Sequence, residues 1–512
     1  MTHFGLIEPI AFQLFTAIVL IGFWNKLEIQ RYVSAIASII GIFIAARLFY
    51  NVSTQGILVM QSGGWEAPFG ITLVGDTFSA TMVLMTSLVT LAVSVFSAVS
   101  ISKLRMKFGY YSILHFLIMG LNGAFLTGDI FNLYVCFEVI IIASFVLMTL
   151  GGERPQLEGA INYVTMNLLA SVIFLTAIAI LYGLVGTLNM ADLSLKLADE
   201  QNRGLVNATA ILFFVGFGIK SAVFPLYFWL PSSYHTPPSA IGAVFGGLLT
   251  KVGIYALLRV FSLMFIPDEF MSNLLIVIAA LTMLTGGLGA LVQTNIRKMF
   301  SYLIVCHIGF MIAGLGMYTE IALLGAVLYL IHDIIVKTNL FLMGGLILKI
   351  NGTVMLPKLG GMYENYPKIA ILLAVVMFSL VGVPPLSGFW PKLFLFQGAF
   401  ETRSFYLAGF IVLASFLTLM VVGKIWAEVF WKKGSGRQML NKPFTYFDEL
   451  RPMKKTVFIL PVVFLTLISL YIGFGAERMI QIAGKIAYEL KDTTSYIEAV
   501  LGVIPTENTT GQ

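Results

Sequence analysis

The sequence predicts an all-α polytopic membrane protein with about fourteen transmembrane helices. Three observations carry that prediction. The chain is 58% hydrophobic and only 11% charged, where a soluble domain carries about 25% charged residues, and its mean hydropathy is +0.93. Apolar runs of about 20 residues, the length that crosses a bilayer as a helix, recur along the 512 residues. The basic residues also gather in alternate loops, as they do when one side of a membrane protein faces the cytoplasm.

Taken in order, the runs lie near 6–24, 33–50, 76–100, 108–127, 129–150, 159–185, 206–230, 239–265, 272–292, 296–317, 321–348, 367–397, 403–430 and 455–475, here called spans 1 to 14. Span 1 lacks a basic leading region and a small-residue cleavage site, so it is read as a retained span rather than a signal peptide. Loops after odd spans hold Lys26, Arg31, Lys103, Arg105, Lys107, Arg154, Arg297, Lys298 and Lys349, and the loop after span 13 adds Lys432, Lys433, Arg437 and Lys442. Loops after even spans are mostly acidic, with Glu66, Asp192, Asp199, Asp268 and Glu320. The odd loops are therefore expected in the cytoplasm and both termini outside. Segment 478–502 mixes charged and apolar residues like an interfacial amphipathic helix, and 505–512 reads as a disordered tail.

Two spans carry breaks. Span 7 contains Pro225-Leu226-Tyr227-Phe228-Trp229 and then Pro231; span 12 contains Pro384-Pro385-Leu386-Ser387-Gly388-Phe389-Trp390-Pro391. Proline removes a backbone donor and collides with the carbonyl four residues earlier, which for Pro225 is that of Ser221. A broken helix at membrane depth is tolerated where it lines a cavity or an ion site. The two breaks lie five spans apart, so they run in opposite directions, as in an inverted repeat.

Ionisable residues inside the spans point to function. Glu138 lies nine residues into span 5, roughly 14 Å deep. Lys220 and Lys251 have similar depth, as do His307, His332 and Lys337, and Lys392 follows the second break. A charge at mid-membrane costs roughly 3 kcal/mol on even the mildest scale, so such residues mark pathways for charge or else snorkel to the surface. Seven titratable groups near one plane suggest a proton relay parallel to the membrane. Desolvation disfavours the charged form of lysine and of carboxyl groups in general, and imidazole already titrates near neutrality, so these types suit proton exchange. Taken alone, His307 reads more as a satisfied core histidine; among these groups the two readings are even. Asp333 and Lys337, spaced i, i+4, are expected to pair, as are Lys424 and Glu428 near the end of span 13. His115, His235, Cys136 and Cys306 have no partner in the sequence, and the cysteines read as packing residues. No nucleotide loop, nucleophile motif, cysteine cluster or metal-ligand spacing is present, so no catalytic residue, cofactor or metal is expected. The basic balance belongs to one membrane side and not to a nucleic-acid partner.

Three stretches, LNGAFLTGDIFNLYVCFEVIIIASF around Glu138, WLPSSYHTPPSAIGAVFGGLLTKVGIYALLR around Lys251 and HDIIVKTNLFLMGGLI around His332, resemble the D-type subunits of the Mrp-type multisubunit cation/proton antiporters. These belong to an antiporter-like subunit family shared with respiratory complex I and membrane-bound hydrogenases. The resemblance covers roughly 100–430. It implies two inverted five-helix repeats, 108–265 and 272–430, preceded by spans 1–3 (1–107) and followed by a loop, span 14 and the amphipathic segment (431–512). It implies Glu138 as an acidic switch paired with Lys220, Lys251 as the central relay lysine, His332 as its link to Lys392, and Lys392 as the terminal group. Lys337 matches in type and less closely in role. A subunit of a sodium/proton antiporter in a prokaryotic cell membrane is the reading this favours. A pumping subunit of a redox complex and a structural scaffold are the alternatives.

Overall fold

Every expected run holds a helix. The computed structural model describes residues 4–433 and 444–502; the 505–512 tail, Arg437 and Lys442 lie outside them. Eleven helices among the described residues are long and apolar enough to cross a membrane. Three shorter apolar helices, Glu8–Gly22, Tyr110–Leu126 and Pro367–Val381, occupy the positions of spans 1, 4 and 12. The all-α polytopic class is therefore what the chain adopts. Span ends move by a few residues: span 2 is Leu27–Gln55 and span 11 is Glu320–Asn351.

Burial divides the spans. Span 8 (Ser239–Leu263) is buried along its whole apolar window, and spans 10 (Ile296–Met317) and 11 nearly so, while span 2 and span 6 (Arg154–Val185) are mostly uncovered. The centre closes because small residues let backbones meet. Gly286 of span 9 (Glu269–Val292) faces the backbone of Cys306, and Gly309 of span 10 faces the carbonyl of Ala279. Gly247 of span 8 lies against Thr338 of span 11. Lys251, Arg259, His307, His332, Asp333 and Lys337 sit on these central helices.

Both expected breaks exist, and they share a mechanism. The first half of span 7, Arg203–Ser221, ends with Ala222 in the left-handed region (φ 60°), and Val223 N–H bonds back to Gly218 O. The first half of span 12, Pro367–Val381, ends with Gly382 at φ 89°, and Val383 N–H bonds back to Phe378 O. Such a left-handed residue closes a helix by satisfying its last carbonyls. An alanine there costs roughly 1 kcal/mol that glycine avoids. Pro225, Pro384, Pro385 and Gly388 lie in the links. Pro231 and Pro391 do not break anything: they stand in the first turn of the resuming helices, Trp229–Ser233 and Phe389–Glu401. The missing N–H of proline would be an orphan there in any case.

Several features were not expected. A hairpin pairs Leu58–Gln61 with Thr72–Gly75 antiparallel ahead of span 3 (Thr77–Ser100). Asp76 caps span 3 in a reciprocal capping box with Ser79 and forms a buried ion pair with Arg259 of span 8. The C-terminal segment, expected as an amphipathic helix, is helical but in two pieces, Ala476–Lys491 and Thr494–Leu501. The first buries Ala483, Ile486, Ala487 and Leu490, and packs along span 11. Its Glu489 accepts from Thr77 N–H and Oγ1 at the start of span 3. Its apolar face is thus covered by protein rather than left for the bilayer. Two isolated antiparallel bridges, Asp129 with Asn189 and Asn295 with Met355, join span junctions with the same chain spacing within each pair.

Candidate functional site: a buried charge network

Asp333 is the centre of the site. It lies on span 11 with no solvent exposure, as do Lys251, His307, His332 and Lys337. Lys251 Nζ stands 2.7 Å from Asp333 Oδ2, an ion pair set off the hydrogen-bond direction. His307 Nδ1–H donates to Asp333 Oδ1 at 3.0 Å, and His307 Nε2 reaches Thr418 Oγ1 of span 13 (Phe405–Trp431) at 3.5 Å. Lys337 Nζ is 3.9 Å from Asp333 Oδ1 and makes no hydrogen bond. The expected Asp333–Lys337 pair is therefore the loosest contact of this carboxylate. One carboxylate serves two lysines and an imidazole drawn from three spans.

A local irregularity aims Lys251. Span 8 winds as a π-helix over Phe245–Leu249, and Lys251 Nζ donates to Gly246 O at 2.7 Å. A π-turn loosens the backbone ladder and frequently marks a functional site. The paired glycines Gly246 and Gly247 let span 11 pack against this turn, because any Cβ there would run into Phe341 or Thr338.

Towards span 12, His332 Nδ1 shares a 2.8 Å hydrogen bond with Ser387 Oγ in the break. Lys392 Nζ donates to Val381 O at 2.7 Å, reaching back across the break to the carbonyl end of the first half-helix. A helix C-terminus is a favourable place for a cation. Lys392 also lies 5.3 Å from the ring centre of Phe310.

Towards span 7, Lys220 Nζ donates to Ser171 Oγ of span 6 at 3.1 Å and sits 4.7 Å above the ring of Phe137. No carboxylate among the described residues lies within 4 Å of it, so Glu138 and Lys220 are apart in this structure. Glu138 Oε1 is buried without a hydrogen-bond partner on span 5 (Ile130–Thr149). A small cavity lined by Lys220, Asn167, Tyr163, Trp229, Tyr234 and Val252 lies between the break of span 7 and span 8. Ser221 Oγ, Tyr234 OH and Thr250 Oγ1, all without partners, are buried around the same junction.

Five of the expected relay groups thus gather at two neighbouring centres: Lys251, His307 and Lys337 at Asp333, and His332, the residue before it, at the span 12 break that holds Lys392. Sequence reasoning places Asp333 only as the helical partner of Lys337 and not at the centre of these groups. Its signal, a lone carboxylate in an apolar span, is absorbed by the i, i+4 spacing to Lys337. Ser171, Thr418 and Ser387 carry no such signal. The expected Lys424–Glu428 pair does not form: Lys424 Nζ caps the carbonyls of Leu291 and Gln293, and Glu428 pairs with Lys432. His115 is a satisfied structural histidine, bonded to Gln13 and Ser34. Among the described residues no group of His, Cys, Asp and Glu has the arrangement of a metal site.

Comparison with known proteins decides the family. Residues 127–418, which hold both breaks, Asp333 and every expected relay group, match the family described as NADH:quinone oxidoreductase/Mrp antiporter, TM. The chain is 41% identical over 496 residues to the D subunit of the Na(+)/H(+) antiporter of Alkalihalophilus pseudofirmus, covering 97% of this chain and 99% of that protein. The chain belongs to this antiporter family. It is also 40% identical over 498 residues to the corresponding Na(+)/H(+) antiporter subunit of Bacillus subtilis, with 97% and 99% covered. Among solved structures, a chain of the Mrp complex from a Dietzia species superposes with a TM-score of 0.90 at 29% identity, covering 98% of this chain and all of that one. A chain of respiratory complex I from Thermus thermophilus shares the fold, with a TM-score of 0.76 at 20% identity over 95% of this chain and 100% of that one.

Proposed function

We propose that the chain is the proton-translocating subunit of a multisubunit Na+/H+ antiporter, a transporter subunit and not an enzyme. The observation that carries the reading is the buried file of Lys220, Lys251, Asp333, His307, Lys337, His332 and Lys392. Such groups are costly in a membrane and persist where charge must pass. Their chemistry is suited to it. Asp333 compensates one ammonium fully, so Lys251 and Lys337 compete for it. A proton leaving one of them transfers the carboxylate's support to the other. Glu138 acts as the switch at the Lys220 end: when paired it holds a charge there, and when separated, as here, it releases it.

The family likeness supports fourteen spans in two inverted repeats, 108–265 and 272–430. The matched closing of both breaks and the two equally spaced bridges support the same reading. The bacterial relatives favour a prokaryotic cell membrane location, and the loop charges favour odd loops in the cytoplasm and both termini outside. The chain works with other subunits. Half-buried Glu138 lies on the same helical stripe as Phe131, Val135 and Ile142, all exposed, and that open apolar face suits a neighbouring subunit.

The test is sodium-dependent proton antiport in vesicles bearing the whole complex. Lys251→Ala is expected to assemble and to abolish antiport. Wild-type antiport by that variant would leave the chain a scaffold.

A further inference from the structure

Span 14 (Pro452–Phe474) lies beyond residues 127–418, the part of the chain that matches the family. It nevertheless presents a row of small and polar residues to the site. Asn339 Nδ2 of span 11 donates to Thr466 Oγ1 at 2.9 Å and to Val462 O at 3.2 Å. One turn on, Ser469 Oγ is 2.9 Å from Ser387 Oγ in the span 12 break and donates to Ser379 Oγ at 3.3 Å. A further turn on, Gly473 O accepts from Trp390 Nε1 at 3.0 Å, and a Cβ at Gly473 would stand 2.7 Å from Ser387 N and 2.8 Å from Pro385 O. Span 14 is thus seated on the break itself.

These contacts join into one path. His332 Nδ1, Ser387 Oγ, Ser469 Oγ and Ser379 Oγ form a continuous chain with steps of 2.8, 2.9 and 3.3 Å. All four side chains are buried, with at most 1% of the residue exposed. The chain ends at Ser379, next to Leu380 and Val381, whose carbonyls hold Lys392 Nζ at 3.5 and 2.7 Å. At the other end His332 Nε2 is buried and without a partner. Gly388 keeps that side of the ring open: a Cβ there would stand 3.1 Å from Nε2 and 2.0 Å from Ser379 O.

We propose that Ser469 of span 14 completes a hydroxyl wire that carries protons between His332 and the Lys392 side of the span 12 break. This deepens, and rests on, the relay reading given above. Each hydroxyl accepts a proton on a lone pair and gives up its own to the next oxygen, then rotates back; the imidazole takes a proton at one ring nitrogen and releases one at the other. No other reactant is consumed. Span 14 is then a working part of the pathway.

The experiment uses the assembled complex in vesicles and compares Ser469→Thr with Ser469→Val. The two side chains have nearly the same shape and crowd the site equally, but only threonine keeps the hydroxyl. The threonine variant is expected to transport about tenfold faster than the valine variant, the effect of one lost buried hydrogen bond, and Ser469→Ala is expected to fall with valine. Equal antiport by the threonine and valine variants overturns the wire, as does wild-type antiport by Ser469→Ala. Lys251→Ala in the same assay separates the two levels. If it too transports normally, the relay reading itself fails; if it is dead while threonine and valine match, only the wire does.

Discussion

Lys251 and Asp333 meet 2.7 Å apart with neither side chain exposed. They come from helices that do not follow one another in the chain, and each would be intolerable alone at that depth. In the proposed relay, this pair makes Asp333 the anchor for proton occupancy at the centre. Asp333→Ala leaves Lys251 and Lys337 without a counter-charge and is expected to cost about 3–5 kcal/mol, seen as a lower yield of assembled complex on native gels. Asp333→Asn keeps the shape and the contact with His307. It is expected to assemble better and still lose antiport by about tenfold or more. Wild-type antiport by Asp333→Asn would remove Asp333 from the relay.

At the other end, Glu138 and Lys220 are apart, with Lys220 held by Ser171 instead. A switch needs both arrangements. Glu138→Ala and Lys220→Ala are expected to assemble and fail to cycle, since each survivor can become neutral. Glu138→Asp keeps the charge with less reach and is expected to keep partial antiport. If both alanine variants transport at wild-type rate, there is no switch here.

The link in span 12 depends on residues that cannot continue a helix. Replacing both Pro384 and Pro385 with alanine restores the missing donors and removes the ring collisions, so the helix is expected to extend past Val381 and withdraw the carbonyls that hold Lys392. Antiport should fall while assembly on native gels is retained. Unchanged antiport in a normally assembled double variant would show that the break is not needed.

A stability prediction tests the packing separately from the chemistry. A Cβ on Gly286 would stand 2.2 Å from Cys306 N and 2.6 Å from its Cα, so spans 9 and 10 must part. Gly286→Ala is expected to destabilise by about 1–3 kcal/mol, measured as a lower melting temperature of the complex. Antiport per assembled complex should change little.

Much of this molecule is legible in its sequence alone. Composition and loop charge determined the class and the span positions, because the bilayer demands long apolar helices and makes each buried charge conspicuous. The two breaks and the buried charged residues could be read for the same reason: prolines and charges are rare enough inside spans to stand out. Only the tertiary structure decided who meets whom. Asp333 pairs with Lys251, three spans earlier in the chain, and only loosely with its own helical neighbour Lys337. Backbone packing at Gly247 and Thr338 brings span 8 against span 11, and the π-turn swings Lys251 toward the carboxylate. Ser469 carries no mark in the sequence either, and the amphipathic pattern of 478–502 does not say that its apolar face packs on span 11. Serine and threonine are ordinary in membrane helices, and what a hydroxyl bonds to is set by neighbours that only the folded chain supplies.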